Sequence, residues 1–309
     1  MKFEKIIGLI AATFTPFDQD GTLNSSKIPE LAKSLNANRM AGAFIAGTTG
    51  EGAALTHNEK IELIEAWAPF SSSEFKVMAM LGGTNQKESI SLAKKTHELG
   101  LYGIALTAPY YIRPNSVKQL VDYFEGIAAE APGQAFYFYH IPLLSKVELP
   151  MMDFLEEAGR RIPNFAGIKY THNDLMEFNK CLRYHGGKYD ILWGWDETML
   201  AGLSMGAKGA VGSTYNYAGP LYQNLLEAFQ KQDMETARHW QEKSIDLISL
   251  FGQYGGAACG KAIMKLCGLD CGQFRYPVKQ LDKEDYRKLE KSLDQLGFFQ
   301  FSSNAKKGQ

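Results

Sequence analysis

The chain has 309 residues, 45% of them hydrophobic and 22% charged, enough for one large α/β barrel or two small domains. Thirty-three basic against 34 acidic residues leave a net charge of −1, so the charge balance points to neither nucleic acid nor an anionic membrane, and a small-molecule partner is expected. No apolar run approaches the roughly 20 residues that span a bilayer.

At the amino terminus, Lys2, Lys5 and the apolar run Ile6–Ala12 imitate a secretory leader, but Glu4 breaks the basic region and no small-residue cleavage site follows. A cytoplasmic protein is expected. Short apolar runs then alternate with amphipathic stretches, the pattern of βα units around a parallel sheet. The runs are Gly8–Phe14, Gly42–Ala46, Lys76–Leu81, Gly103–Thr107, Ala135–Tyr139, Phe165–Tyr170, Ile191–Trp193 and Gly209–Gly212. Between them, helices are predicted over Ser25–Arg39, Asn58–Trp67, Gln86–Leu99, Ser116–Ala131, Met151–Arg161, Asp174–Tyr184 and Glu197–Met205. Eight units favour a closed (β/α)8 TIM barrel over an open sheet. From about Gly219 the strand signal stops and helical segments continue to about Gly297. The expected division is a barrel core over 1–218 and C-terminal helices over 219–309 packed on it as one unit, ending in a polar tail with Lys306, Lys307 and Gly308.

Local chemistry supports these boundaries. Thr56-His57-Asn58-Glu59 fits a capping box, Pro150 suits a first helical position, and Gly100 and Gly206 mark helix ends.

In a parallel barrel the reacting groups gather at the C-terminal strand ends. After the second run comes Gly47-Thr48-Thr49-Gly50-Glu51-Gly52, which reads either as a tight turn or as a cradle of amides and hydroxyls for a carboxylate or phosphate. It lacks the lysine of a nucleotide-binding P-loop. Pro109-Tyr110-Tyr111-Ile112-Arg113-Pro114 follows the fourth run and Tyr139-His140-Ile141-Pro142 the fifth; their phenols are packing groups or proton relays. The sixth, Phe165-Ala-Gly-Ile-Lys169-Tyr-Thr171, ends in one lysine. A lysine near its ordinary pKa of about 10.4 is protonated and cannot attack a carbonyl, but an apolar strand end supplies the desolvation that frees the amine. The plain alternative is a strand-capping lysine in water. Strand alternation places Phe165, Gly167, Lys169 and Thr171 on one face, with Gly167 leaving room beside the lysine. After the seventh run, Gly194-Trp195-Asp196-Glu197 offers two carboxylates that suit either sugar hydroxyls or a helix start. Ser213 and Thr214 follow the eighth.

The six histidines form no HxH or HExxH pattern, and Cys181, Cys259, Cys267 and Cys271 form no CxxC pair, so no metal site is expected and the thiols suit a reduced cytoplasm.

In order along the chain, GTTGEG, PYYIRP, YHIP, GIKYT, GWDE and GAVGSTYN resemble the pyruvate-dependent class I aldolase family of N-acetylneuraminate lyase and dihydrodipicolinate synthase. The likeness runs from about Ile7 to at least Tyr217. It implies a TIM barrel in which Lys169 forms a Schiff base with the keto carbon, Thr48 and Thr49 hold the pyruvyl carboxylate, and Tyr139 shuttles a proton. It also implies that Tyr111 reaches a neighbouring subunit's site in a homo-oligomer, commonly a tetramer, and that no metal or organic cofactor is used. The synthase branch binds its substrate's second acid with an arginine five residues after the strand-five tyrosine, where this chain has Leu144. The lyase branch is the one matched by Thr171 and by Gly194, Asp196, Glu197 and Ser213, which would bind the polyol of an open sialic acid. The resemblance therefore implies sialic acid cleavage to N-acetylmannosamine and pyruvate; the rivals are another pyruvate aldolase or synthase, and a non-catalytic sugar-acid-binding barrel.

Overall fold

The eight apolar runs form eight parallel strands that close into a barrel in a computed structural model, which describes residues 3–303. The strands are β1 Gly8–Ala12, β2 Gly42–Ile45, β3 Lys76–Met80, β4 Gly103–Thr107, β5 Ala135–His140, β6 Phe165–Tyr170, β7 Asp190–Trp193 and β8 Gly209–Gly212. Each pairs with the next in sequence, and β1 closes on β8. Gly8–Ala12 of the leader-like run is thus a barrel strand. Lys2 and the tail residues Lys306, Lys307 and Gly308 lie outside the described residues.

The helices are α1 Ile28–Ala37, α2 His57–Trp67, α3 Gln86–Glu98, α4 Val117–Ala128, α5 Pro142–Ser145, α6 Met151–Arg161, α7 Leu175–Arg183 and α8 Met199–Ser204. They continue with α9 Tyr215–Gln230, α10 Met234–Gln253, α11 Ala257–Leu266 and α12 Lys283–Leu296. Predicted helices beginning at Ser116 and Asp174 start one residue later, because those side chains sit outside the helix and accept from the first-turn amides of Gln119 and Glu177. The Thr56 capping box forms with Glu59. Gly100 and Gly206 follow helix ends with φ of +69° and +109°. Pro150 caps α6 from outside instead of occupying its first turn. The chain enters α9 at Tyr215, before the expected end of the barrel; the Gly219-Pro220 signal marks an internal break at Ala218 (φ −124°, ψ 29°), where proline cannot continue the hydrogen-bond ladder. Helices α9, α10, α11 and α12 pack on one another, and α9 also packs on β1.

Two apolar layers follow from strand alternation. Ile10, Phe44, Met78, Tyr137, Tyr139, Leu192 and Val211 fill the barrel interior, while Leu9, Ile45, Phe136, Phe138, Ile168 and Trp193 pack outward under the helices. Simple alternation fails in β6. Phe136 lies opposite Phe165 and Tyr137 opposite Gly167, so Ala166 is an extra residue, a bulge. Phe165 therefore packs outward and Ala166 inward, which corrects the expectation that Phe165 shares a face with Lys169. Gly167 is needed for a different neighbour than expected: a Cβ there would overlap the Asp190 carbonyl of β7.

Candidate active site

Lys169 stands at the C-terminal end of β6, directly across from Tyr139 of β5. It is 4% exposed, and its Nζ lies 4.1 Å from the centre of the Phe44 ring and 4.0 Å from that of Tyr139. Those rings form an edge-to-face pair at 5.7 Å. Burial lowers the lysine pKa to about 7, against a smaller upward pull from Asp196. Desolvation disfavours the ammonium form, so a substantial share of this amine is neutral at neutral pH. The strand-capping alternative, with the ammonium in water, does not describe this lysine.

The Gly47–Gly52 turn is tight. Gly52 donates to the Gly47 carbonyl at 3.0 Å and Glu51 to that of Thr48 at 3.1 Å; Glu51 takes a left-handed φ of +56°. A Cβ at Gly52 would overlap the Ala46 carbonyl oxygen. Thr48 is exposed at the rim and Thr49 half-buried. The Thr48 hydroxyl lies 3.4 Å from the Tyr139 hydroxyl. Burial raises the Tyr139 pKa, and the hydroxyls of Thr48 and Thr171 partly oppose the rise.

Two residues of the C-terminal part, Lys261 in α11 and Arg275 in the connection to α12, grip the same turn from behind. Lys261 of α11 pairs with Glu51 at 2.8 Å, both side chains buried, and the Arg275 amide donates to the second Glu51 oxygen at 2.7 Å. The Arg275 guanidinium in turn pairs with Glu59 of the capping box and holds that carboxyl down at about 2.

The other arc of the rim comes from β6, β7 and β8. Thr171 is buried just past β6, and Gly194 must be glycine because a Cβ would overlap the Thr171 hydroxyl. Asp196 is 5% exposed; its Oδ2 accepts from the Thr214 amide at 2.9 Å and hydroxyl at 2.6 Å. The carboxylate occupies the space a side chain at Gly212 would need. Glu197 and Ser213 are half-buried beside it. Burial raises the pKa of both Asp196 and Glu197.

Thr48, Tyr110, Tyr139, Leu144 and Tyr276 line a cavity of about 550 Å³ above the β2–β5 arc. Leu144 contributes no charge there. Tyr111 is 86% exposed and does not border this cavity. Among the described residues no three His, Cys, Asp or Glu side chains are grouped to hold a metal ion. All four cysteines are buried and free.

A profile of the dihydrodipicolinate synthetase family matches residues 5–296. The chain belongs to that family. Within the dihydrodipicolinate synthetase family it is 35% identical over 306 residues to the N-acetylneuraminate lyase of Homo sapiens, across 97% of this chain and 95% of that protein. The N-acetylneuraminate lyase structure of Proteus mirabilis superposes with a TM-score of 0.92 at 38% identity, covering 96% of this chain and 100% of that one. A dihydrodipicolinate synthase structure from Bacillus anthracis superposes with a TM-score of 0.86 at 26% identity, over 93% of this chain and 97% of that one.

Residues that sequence reasoning missed are Phe44, the pairing of Glu51 with Lys261, and Tyr222, whose hydroxyl lies 2.6 Å from the Thr214 hydroxyl that meets Asp196. Phe44 carried a usable signal: it is the one large residue at an inward position of the Gly42-Ala-Phe-Ile strand. The other pairs leave no local trace.

Proposed function

We infer that this chain is a class I aldolase that reversibly cleaves N-acetylneuraminate to N-acetylmannosamine and pyruvate. Lys169 is the observation that carries the inference: an amine at a barrel strand end, buried between two rings, with its pKa lowered to about 7. The lyase names of the relatives favour the sialic acid substrate, as does uncharged Leu144 in the cavity wall.

Neutral Lys169 attacks the C2 ketone of the open-chain sugar acid and, with loss of water, gives an iminium ion. Thr48 and Thr49 hold the carboxylate and so fix the reacting carbon against the lysine. Cleavage of the C3–C4 bond sends its electron pair into the iminium, leaving an enamine of pyruvate, while the C4 hydroxyl becomes the aldehyde and must lose its proton. Because burial keeps Tyr139 a neutral phenol, it acts as a relay, taking the C4 proton as it passes its own to the substrate carboxylate. Protonation of the enamine and hydrolysis release pyruvate and regenerate the amine. No organic cofactor enters these steps, since the covalent iminium is the electron sink.

Asp196, Glu197, Ser213 and Thr171, with Gly194 keeping the loop close, take the hydroxyl chain of the sugar. Tyr111, exposed on a single chain, serves the site of a neighbouring subunit in a homotetramer, and light scattering on the purified protein tests that assembly. The buried free thiols suit a reducing cytoplasm, and among the described residues no helix is long and apolar enough to cross a membrane.

The test is borohydride reduction of the protein mixed with N-acetylneuraminate, followed by peptide mass mapping. A pyruvyl-sized adduct on Lys169 is expected. An adduct with added pyruvate but none with the sugar acid would overturn the substrate assignment and leave the aldolase chemistry; no adduct with either would overturn both.

A further inference from the structure

Behind Asp196 runs a line of buried hydroxyls that the reaction scheme does not use. Thr214 Oγ1 lies 2.6 Å from Asp196 Oδ2 and 2.6 Å from the Tyr222 hydroxyl of α9. The Tyr222 hydroxyl lies 2.7 Å from Ser244 Oγ of α10, which returns to the Asp196 carbonyl at 3.2 Å. Gln241 of α10 reaches the same carbonyl at 3.3 Å and also receives the Leu200 amide at 2.8 Å. Tyr222 and Ser244 are wholly buried, and Thr214 nearly so.

Hydrogen counting constrains the direction of this line. Each hydroxyl has one hydrogen to donate. An ionised Asp196 only accepts, so the Thr214 hydrogen goes to Oδ2. The Thr214–Tyr222 contact then needs the Tyr222 hydrogen, and the one Ser244 hydrogen is shared between the Tyr222 oxygen and the Asp196 carbonyl. With Oδ2 already accepting from both the amide and the hydroxyl of Thr214, Oδ1 is left as a fully buried atom packed against Gly212. The Tyr215 hydroxyl has two acceptors within reach, the same carboxylate, whose ionised form it favours, and Met199 Sδ at 3.7 Å.

We propose that Tyr222 and Thr214 are positioning residues for substrate: they anchor Asp196 by Oδ2, and with it the rim loop from Gly194 to Glu197 that meets the sugar chain. The proposal rests on the functional reading above, in which Asp196 binds that chain. It assigns to the C-terminal helices α9 and α10 a part in sugar recognition, since those helices touch the rim through this line. A packing role alone for the same hydroxyls would act on the whole barrel end, including Lys169. A positioning role acts only on steps that use the sugar.

The test compares two readouts in wild type, Tyr222→Phe, Thr214→Val and Thr214→Ser. One is KM for N-acetylneuraminate in steady-state cleavage; the other is the rate of borohydride trapping of added pyruvate on Lys169, which needs no sugar chain. Tyr222→Phe and Thr214→Val should each raise KM about tenfold, as expected for weakening a hydrogen bond to a charged group, with pyruvate trapping at the wild-type rate. Thr214→Ser should restore KM to near wild type. In an Asp196→Asn background Tyr222→Phe should add nothing further, because the pair acts as one unit. Parallel loss of sugar KM and pyruvate trapping would overturn the proposal in favour of packing, and so would a Tyr222→Phe KM within twofold of wild type. Should Thr214→Val fail to fold, Tyr222→Phe, which removes one oxygen and keeps the ring, decides the matter. Wild-type protein that traps pyruvate but does not cleave the sugar acid would overturn the functional reading and this proposal together; wild-type cleavage with unaffected variants overturns the proposal alone.

Discussion

Replacing Lys261 by methionine should cost the fold about 3 kcal/mol and loosen the turn that carries Thr48 and Thr49. The Lys261 side chain is 2% exposed and that of Glu51 6%, with Nζ and Oε1 2.8 Å apart. Nζ also donates to the Gln273 carbonyl at 3.0 Å and sits over the Phe17 and Phe274 rings at 4.3 and 4.9 Å. Methionine keeps the apolar stem but leaves Glu51 buried without a counter-charge. Removing one partner of a buried pair costs about 3–5 kcal/mol, most of it the penalty of the stranded charge. The Arg275 amide at 2.7 Å still serves the second Glu51 oxygen, which places the cost near the lower end of that range. Glu51→Gln strands the lysine instead, with one carbonyl and two ring faces as partial compensation. The double variant strands neither charge, so its cost should fall well below the sum of the two. Urea unfolding of all three variants at pH 7 measures this cycle, and pyruvate KM measures the turn. A Lys261→Met loss below about 1 kcal/mol, or strict additivity in the double variant, would refute the view that this pair holds the turn.

Other outcomes follow from the buried groups. Lys169→Met should abolish adduct formation yet raise stability at pH 7 by a few kcal/mol, read from chemical denaturation: the native pKa of about 7 against 10.5 means the native state binds fewer protons in that window, so wild-type stability climbs as pH rises from 7 toward 10.5 and is lowest below it. For the same reason, pyruvate trapping by wild type should rise with pH through about 7, and a profile flat from 6 to 8 would refute a neutral nucleophile gated by this group. Tyr139→Phe should slow cleavage by roughly a hundredfold or more while pyruvate trapping changes little; an equal loss in both would make Tyr139 a packing residue. Asp190 is buried at the start of β7, where it accepts from Tyr137 at 2.9 Å and from the Ile6 amide at 3.1 Å. Burial raises its pKa from 3.8 to about 6. The native state thus binds more protons between those values, so stability falls as pH rises through them, and Asp190→Asn should gain up to about 3 kcal/mol at pH 8 with no gain near pH 3.

The barrel was legible because a strand buried on both faces reads as a short apolar run, and eight such runs separated by amphipathic helices leave few architectures open. Lys169, Tyr139 and Thr48 were legible because each ends a strand or opens the following loop, where a barrel collects its chemistry. The bulge at Ala166 was not. Alternation has period two only while the ladder is regular, and an unpaired residue shifts its phase with no mark in the local sequence. The Glu51–Lys261 pair was equally hidden, since its members are 210 residues apart and each alone reads as a surface charge. The same holds for Tyr222 and Ser244, which look like ordinary helix residues until α9 and α10 bring them to Thr214.

How the site can bind an anion next to an amine that must stay neutral is a question of electrostatics. No cation is among the causes that lower the Lys169 pKa; burial does it, and Asp196 pulls the other way. A substrate carboxylate entering nearby would pull further in that direction and return the amine to its unreactive ammonium form. Amides and hydroxyls of the Gly47–Gly52 turn, aimed at the carboxylate, would spread its charge and weaken that pull. In the proposed reaction the balance reverses once the iminium forms. The nitrogen is then cationic through covalent bonding, and the ring faces of Phe44 and Tyr139 at about 4 Å, Asp196 and the bound carboxylate all stabilise it. The surroundings that only just tolerate the free amine are therefore better matched to the intermediate than to the resting lysine, and that difference is what lowers a barrier.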